Sequence, residues 1–199
     1  MRTVVFGGGE TLVDKSREWL EQARAAGIPA FAFHALLGSL IERSKDHRLI
    51  WEELAVPPPE YRKQILFADL YPDAIACLRS LQHSGLALGI AGNQPSGAAE
   101  QLSAAGVSAD FIASSAQRGV AKPSGKFFAR IIAESGFAAP SILYVGDRLD
   151  NDVLPARRAG MKTALVVRGP WGHIHARRAE SVLADYRIHS LNELVHLWD

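Results

Sequence analysis

The stretch "YVGDRLDNDV" puts three carboxylates, Asp147, Asp150 and Asp152, within six residues. Charges of one sign at that density repel unless a cation, a lysine or solvent screens them, and hard oxygen ligands on a short loop suit Mg²⁺ with several waters retained. Capping of a following helix accounts well for Asp150. It accounts less well for Asp147, which directly follows Gly146 at the end of an apolar run. In "GVAKPSG", Pro123 biases Lys122 toward extended backbone, so its ammonium stands at the end of a loop and could meet a phosphate. A merely solvated lysine is the plainer alternative. Asn93 in "GNQPSG" carries an amide donor, and Pro95 or Ser96 is expected to open a helix whose N-terminus favours an anion. Loop and cap alone would also explain that segment.

Near the N-terminus, "VVFGGGETLVD" runs three apolar residues into Gly7, Gly8 and Gly9. A dinucleotide fingerprint is excluded because Leu12 occupies its third glycine position, and the Gly-Lys-Ser/Thr ending of a Walker loop is missing. Two readings stay open, a flexible turn and a cradle of backbone N–H groups for an anion. His173 and His175 in "GPWGHIH" have no cysteine or third ligand beside them, so a loop or helix start is expected rather than a metal site. Cys77 lies at helical spacing with Ala74 and Leu81, which reads as core packing.

These residues need a scaffold, and the chain supplies one by alternation. Short apolar runs at Thr3–Phe6, Leu86–Ala91, Asp110–Ala113, Ile142–Val145 and Thr163–Val167 read as strands. Helical spacing fills Pro72–His83, Ser124–Glu134 and Asp150–Arg158, with Gly85, Gly136 and Gly160 placed to stop them. Strand–helix alternation implies right-handed crossovers and a Rossmann-like α/β fold, a parallel sheet with helices on both faces. Between about residues 15 and 69 the alternation breaks into helical patterns (Ser16–Ala26, Ala30–His47) and the turn "VPPPEY". The expected organisation is a core of residues 1–14 and 70–199 with a small helical cap, 15–69, over the working edge. Trp19, Phe31, Phe33 and Trp51 are expected to form the core of that cap. Ligands in such folds sit beyond the carboxyl ends of the strands, where the candidate residues above lie.

Composition narrows the partners. The 199 residues carry 22 Lys and Arg against 21 Asp and Glu, a balance that favours neither nucleic acid nor an anionic membrane. One cysteine rules out an intrachain disulfide and fits a reducing cytoplasm. No apolar run reaches the length of a membrane span, and the N-terminal run is too short for a signal peptide. Oligomeric state and substrate identity leave no trace that can be read.

In order and spacing, the segments "VVFGGGETLVD", "LGIAGNQP", "GVAKP" and "YVGDRLDNDV" together resemble the four motifs of the haloacid dehalogenase-like (HAD) hydrolases, most of them phosphatases. The resemblance runs the length of the chain, and its most specific part is Gly146-Asp147 with Asp152 five positions on. It implies Mg²⁺-dependent phosphoester hydrolysis of a small phosphorylated molecule through an aspartyl-phosphate. The first motif of that family is Asp-x-Asp-x-Thr, or a variant at its second aspartate, and supplies nucleophile and general acid/base. Thr11 matches the threonine, Lys122 the phosphate-holding lysine, and Asp147 and Asp152 the metal ligands. Gly7 stands in the nucleophile's place, Gly9 in that of the acid/base, and Gly92 where a phosphate-binding Ser or Thr is expected, with Asn93 beside it.

Removing a catalytic nucleophile costs about 10⁶ in turnover in a well-studied hydrolase. Glu10 and Asp14 are the nearby acids, but neither holds the family's position. The resemblance therefore leaves two classes open. One is a HAD-like phosphatase crippled at Gly7, whether Gly7 is native or a single-base variant of the expressed copy. The other is a pseudoenzyme that binds a phosphate, a metabolite or a partner without turning it over. Dehalogenase or phosphonate chemistry on the same scaffold would suffer the same loss.

Overall fold

The computed structural model describes residues 1–61 and 64–197. Short runs such as Val4–Phe6 are apolar on every residue because a parallel sheet is covered on both faces. Six such strands, β1 (Thr3–Phe6), β2 (Ala87–Gly92), β3 (Phe111–Ser114), β4 (Ile142–Gly146), β5 (Lys162–Val166) and β6 (Tyr186–Ile188), form one parallel sheet in the order β3-β2-β1-β4-β5-β6. The described helices are α1 (Ser16–Ala25), α2 (Ala30–Glu42), α3 (Ile50–Glu53), α4 (Ala74–His83), α5 (Ala98–Ala104), α6 (Ser115–Arg118), α7 (Gly125–Ser135), α8 (Leu154–Arg158), α9 (Gly169–His175) and α10 (Asn192–Val195).

Alternate residues of each strand feed opposite cores. Val4, Phe6, Leu88, Ile90, Leu143 and Val145 pack with Cys77, Leu78 and Leu81 of α4, with Leu191 and with Leu194 of α10. Val5, Ala91, Ala113 and Tyr144 face the other way, onto Phe127, Phe128 and Ile131 of α7. Strand order reverses at β1: Phe6 pairs with Ile90 of β2 on one side and Val145 of β4 on the other. The loops leaving β1, β2 and β4 thus open into one crevice.

Residues between β1 and α4 form a helical layer with its own small core. Trp19 and Ala23 of α1, Phe33, Leu37, Leu40 and Ile41 of α2, and Ile50 of α3 close around Trp171, which α9 contributes from the main body. The two ends of this insertion are fastened together. The Asp14 N–H donates to the Asp69 carbonyl at 2.7 Å, and the Arg17 guanidinium grips both Asp69 carboxylate oxygens at 2.7 and 2.6 Å. No single helix among the described residues is long and apolar enough to cross a membrane.

Several expectations need correction. Phe31 is 88% exposed, because it lies two residues, roughly 200° of helix, from the buried Phe33. The long helix expected over Ala30–His47 ends at Glu42, where Ser44 turns left-handed (φ 55°) before a 3₁₀ turn at His47–Leu49. The single helix expected over Asp150–Arg158 is a wide π turn, Leu149–Val153, followed by α8. Pro155, which lacks an N–H and crowds the preceding turn, sits at the join. Asp150 caps nothing there: the Arg148 guanidinium donates to its two carboxylate oxygens at 3.0 and 2.7 Å. The helix expected to open at Pro95 or Ser96 begins at Ala98, after Gly97 at φ 84°. His173 and His175 lie in the last turn of α9 rather than in a loop or at a helix start. The strand β6 escaped the sequence reading because three residues are too few to show a period.

Candidate functional site

Asp147 is the first residue past β4 and is 4% exposed. Burial, then the charges of Asp152 and Glu10, pushes its carboxyl well above the usual range, against the opposing pull of Lys122 and Arg148. A carboxylate held there calls for a cation or a proton. Asp152 is less free. The Lys122 ammonium pairs with one of its oxygens, and the Arg148 N–H donates to the other at 3.1 Å. Burial works against the Lys122 charge, but the Asp152 carboxylate outweighs it and holds the amine above its usual value.

The loop after β1 brings Gly7, Gly8 and Gly9 against these groups. Gly7 donates its N–H to the Val145 carbonyl at 2.8 Å, which locks the loop to the end of β4. A Cβ on Gly7 would lie 2.9 Å from Thr11 Oγ1. That hydroxyl is fully buried and has no hydrogen-bond partner. Leaving a buried hydroxyl unpaired costs about 1–3 kcal/mol. A Cβ on Gly9 would meet the Lys15 side chain at 2.8 Å, since Lys15 lies across the mouth with its ammonium 4.1 Å above the Trp19 ring.

Neither nearby acid bonds to Thr11. Glu10, with φ 56°, turns its carboxylate to the Tyr71 hydroxyl, which donates at 2.8 Å, and against Gly169. Burial raises Glu10 above its usual value, although the Tyr71 hydrogen bond works the other way. Asp14 accepts from the Ser16 N–H at 2.8 Å at the start of α1.

On the β2 side, Gly92 and Asn93 line the crevice with Gln94. Asn93 spends its amide on the backbone of Lys122, donating to its carbonyl at 3.0 Å and accepting from its N–H at 2.8 Å. This two-way bridge ties the β2 loop to the β3 loop and sets where Lys122 stands. Gly8, Gly9, Lys122, Asp147, Arg148 and Asp152 line the same cavity of about 170 Å³, with His47 and Trp171 forming the outer wall. His47 stacks edge-on to Trp171 with centroids 5.4 Å apart. The crevice therefore gathers Gly9, Gly92, Asn93, Lys122, Asp147 and Asp152, with Glu10 beside them, while Gly7 and Thr11 are not among the residues that line it.

Sequence patterning overlooked two residues that matter here. Arg168, buried beside the Tyr71 ring, donates to the Thr11 carbonyl at 3.2 Å and to both oxygens of Asp73 at 3.0 and 2.6 Å. Its partners are 157 and 95 residues away, beyond the reach of any local pattern. Gln94 is the other. His175 accepts from the Leu149 N–H at 3.0 Å and so steadies the loop after β4, and burial lowers it to about 4. Among the described residues, no group of three or more His, Cys, Asp and Glu side chains is placed to enclose a metal ion.

A family model described as a haloacid dehalogenase-like hydrolase matches residues 1–160. The glyceraldehyde 3-phosphate phosphatase of Methanocaldococcus jannaschii is 33% identical over 130 residues, 64% of this chain and 55% of that protein. The protein of the same name from Methanopyrus kandleri is 35% identical over 131 residues, 63% of this chain and 54% of its own length. The chain thus spans about half the length of the curated relatives it matches. Among solved structures, the L-2-haloacid dehalogenase from Xanthobacter autotrophicus superposes with a TM-score of 0.75 at 20% identity, covering 100% of this chain and 98% of that one. The HAD phosphatase from Thermococcus onnurineus gives 0.65 at 22% identity, covering 98% and 96%. At such identities the likeness is one of fold.

Proposed function

We propose, from the premise that this chain belongs to the haloacid dehalogenase-like hydrolases, that it is a phosphatase-like member whose site still accepts a phosphorylated small molecule but turns it over slowly or not at all. The observation that carries this reading is the orphaned Thr11 hydroxyl beside Gly7. A carboxylate on residue 7 would stand beside a hydroxyl that has no partner. Glycine offers the phosphorus no nucleophile; Asp14 is spent at the start of α1, and Glu10 lines the cavity but gives one oxygen to Tyr71.

Lys122, fixed by Asn93 and held charged by Asp152, would face a phosphoryl oxygen. Gly9 leaves no acid/base at the family's position, and Glu10, raised by burial and lining the same cavity, is the nearest carboxyl that could serve a leaving group. Mg²⁺ fits the donor set as a water-rich ion, since it binds through one or two carboxylates and substrate oxygens. Asp147 would hold it, with Asp152 behind and already shared with Lys122. The ion would supply neutralisation of phosphate charge. The weaker donor set that Gly7 leaves implies weaker Mg²⁺ affinity than an aspartate there would confer. Residues 15–69 would act as the cap that shapes the substrate side of the crevice.

The test is Gly7→Asp. Thr11 Oγ1 must yield by a few tenths of an ångström, a small rotation of a side-chain end. The Gly7→Asp protein is expected to hydrolyse an aryl phosphate in Mg²⁺, and the present chain to be lower by a factor on the order of 10⁶. If a folded Gly7→Asp protein fails on several phosphoesters at high enzyme concentration, the catalytic reading falls and a binding-only member of the fold replaces it.

A further inference from the structure

The loop after β2 holds two adjacent amides with opposite fates. Asn93 is consumed by the Lys122 backbone. Gln94 has its main chain fixed instead: its carbonyl accepts from the hydroxyls of Ser114 at 3.2 Å and Ser115 at 3.4 Å, and from the Ala116 N–H at 3.3 Å. Those three donors pin the backbone and point the side chain into the crevice. The residue is 8% exposed, and its amide oxygen has no hydrogen-bond partner. Its amide nitrogen lies 1.8 Å from where a Cβ on Gly8 would be and 3.6 Å from one on Gly92. Only glycine at position 8 leaves room for it. A nearly buried amide lining a polar cavity, its oxygen without an internal partner, has the build of a ligand-binding group.

We propose that Gln94 is an anion-recognition residue of this site, its carboxamide N–H donating to an oxygen of a phosphate group held between Gly8, Gly92 and Lys122. The assignment deepens the phosphatase-like reading above and rests on it. The Lys122 ammonium is partly neutralised by Asp152, so a neutral donor across the cavity supplies directional contact without adding charge. The unpartnered Gln94 oxygen is an acceptor, so it is met by the hydroxyl of a singly protonated phosphate while the amide N–H meets a phosphoryl oxygen.

Titration of the full chain with inorganic phosphate in Mg²⁺, read by calorimetry, tests this. Gln94→Ala is expected to weaken phosphate about tenfold or more, the range of a hydrogen bond to a charged group. Gln94→Glu, equal in size but anionic, is expected to abolish binding. In Gly92→Ser/Gln94→Ala, the serine hydroxyl enters the space that the amide has left, and affinity is expected to return toward that of the present chain. A loss caused by disturbed folding would not be reversed that way. Phosphate binding that survives Gln94→Ala and Gln94→Glu unchanged overturns the role of Gln94 and leaves the phosphatase-like reading standing. No phosphate binding by the unsubstituted chain overturns both.

Discussion

The loops leaving β1 and β2 and the loops leaving β3 and β4 meet in one crevice but have been kept very differently. The first pair presents Gly7, Gly9 and Gly92 where the family resemblance expects side chains; the second keeps Lys122, Asp147 and Asp152. Their structural duties explain the contrast. Lys122 and Asp152 form a buried ion pair, with side chains 7% and 1% exposed, and Asp152 also accepts from the Arg148 N–H. A nucleophile on residue 7 would touch only Thr11 and the reactants. On this reading residue 7 carries little structural duty, whereas Lys122 and Asp152 brace the loops they stand on.

The largest effect that would sharpen this contrast is the gain in turnover expected of Gly7→Asp, since it asks whether one carboxylate is all the first pair lacks. Adding Asp147→Asn to that protein is expected to remove the gain, read as hydrolysis of the same aryl phosphate. Next is stability. Lys122→Met leaves Asp152 buried and unpaired and is expected to cost about 3–5 kcal/mol in urea unfolding, with Lys122→Met/Asp152→Leu recovering much of it. If Lys122→Met unfolds at the same urea concentration as the present chain, the bracing explanation fails.

A smaller effect follows from histidine. Burial lowers both His47 and His175 to about 4, against an unfolded value near 6.5. Between those values the unfolded chain takes up protons that the folded chain refuses. Their contribution is therefore intact above pH ~6.5 and is lost as pH falls toward ~4. His175→Asn, which can still accept from the Leu149 N–H, is expected to make Tm less dependent on pH over that window; an unaltered slope would exclude His175 as a cause. The smallest effect is expected of Gly7→Ala. Crowding of Thr11 and the loss of glycine's freedom in the unfolded chain oppose each other, for a net change within about 1 kcal/mol. Unfolding of Gly7→Ala far below the present chain would show that the first pair braces the fold too.

Much of this was legible in the sequence, for physical reasons that differ from place to place. The central strands announce themselves because burial on both faces demands continuous apolar residues, and Asp147 stands out because charge directly follows such a run. Asn93 and Gln94 look interchangeable on paper. Only the three-donor anchor on the Gln94 carbonyl, assembled from the start of α6, turns one amide into the crevice and leaves the other to bridge loops. Phe31 illustrates the opposite limit: aromatic composition marked the insertion as having a core, but rotation about α2 chose Phe33 over Phe31. Arg168 was hidden because its grip on Asp73 and Thr11 exists only once the sheet has closed.

The Arg17–Asp69 grip at the base of the insertion has a consequence of its own. It joins the points where the chain leaves and re-enters the sheet, while Trp171 of α9 ties the far side of the inserted helices to the main body. Loop-closure entropy grows only slowly with length, about 0.6 kcal/mol per doubling. A segment fastened at its base can thus be lengthened, shortened or exchanged with little strain on the scaffold beneath.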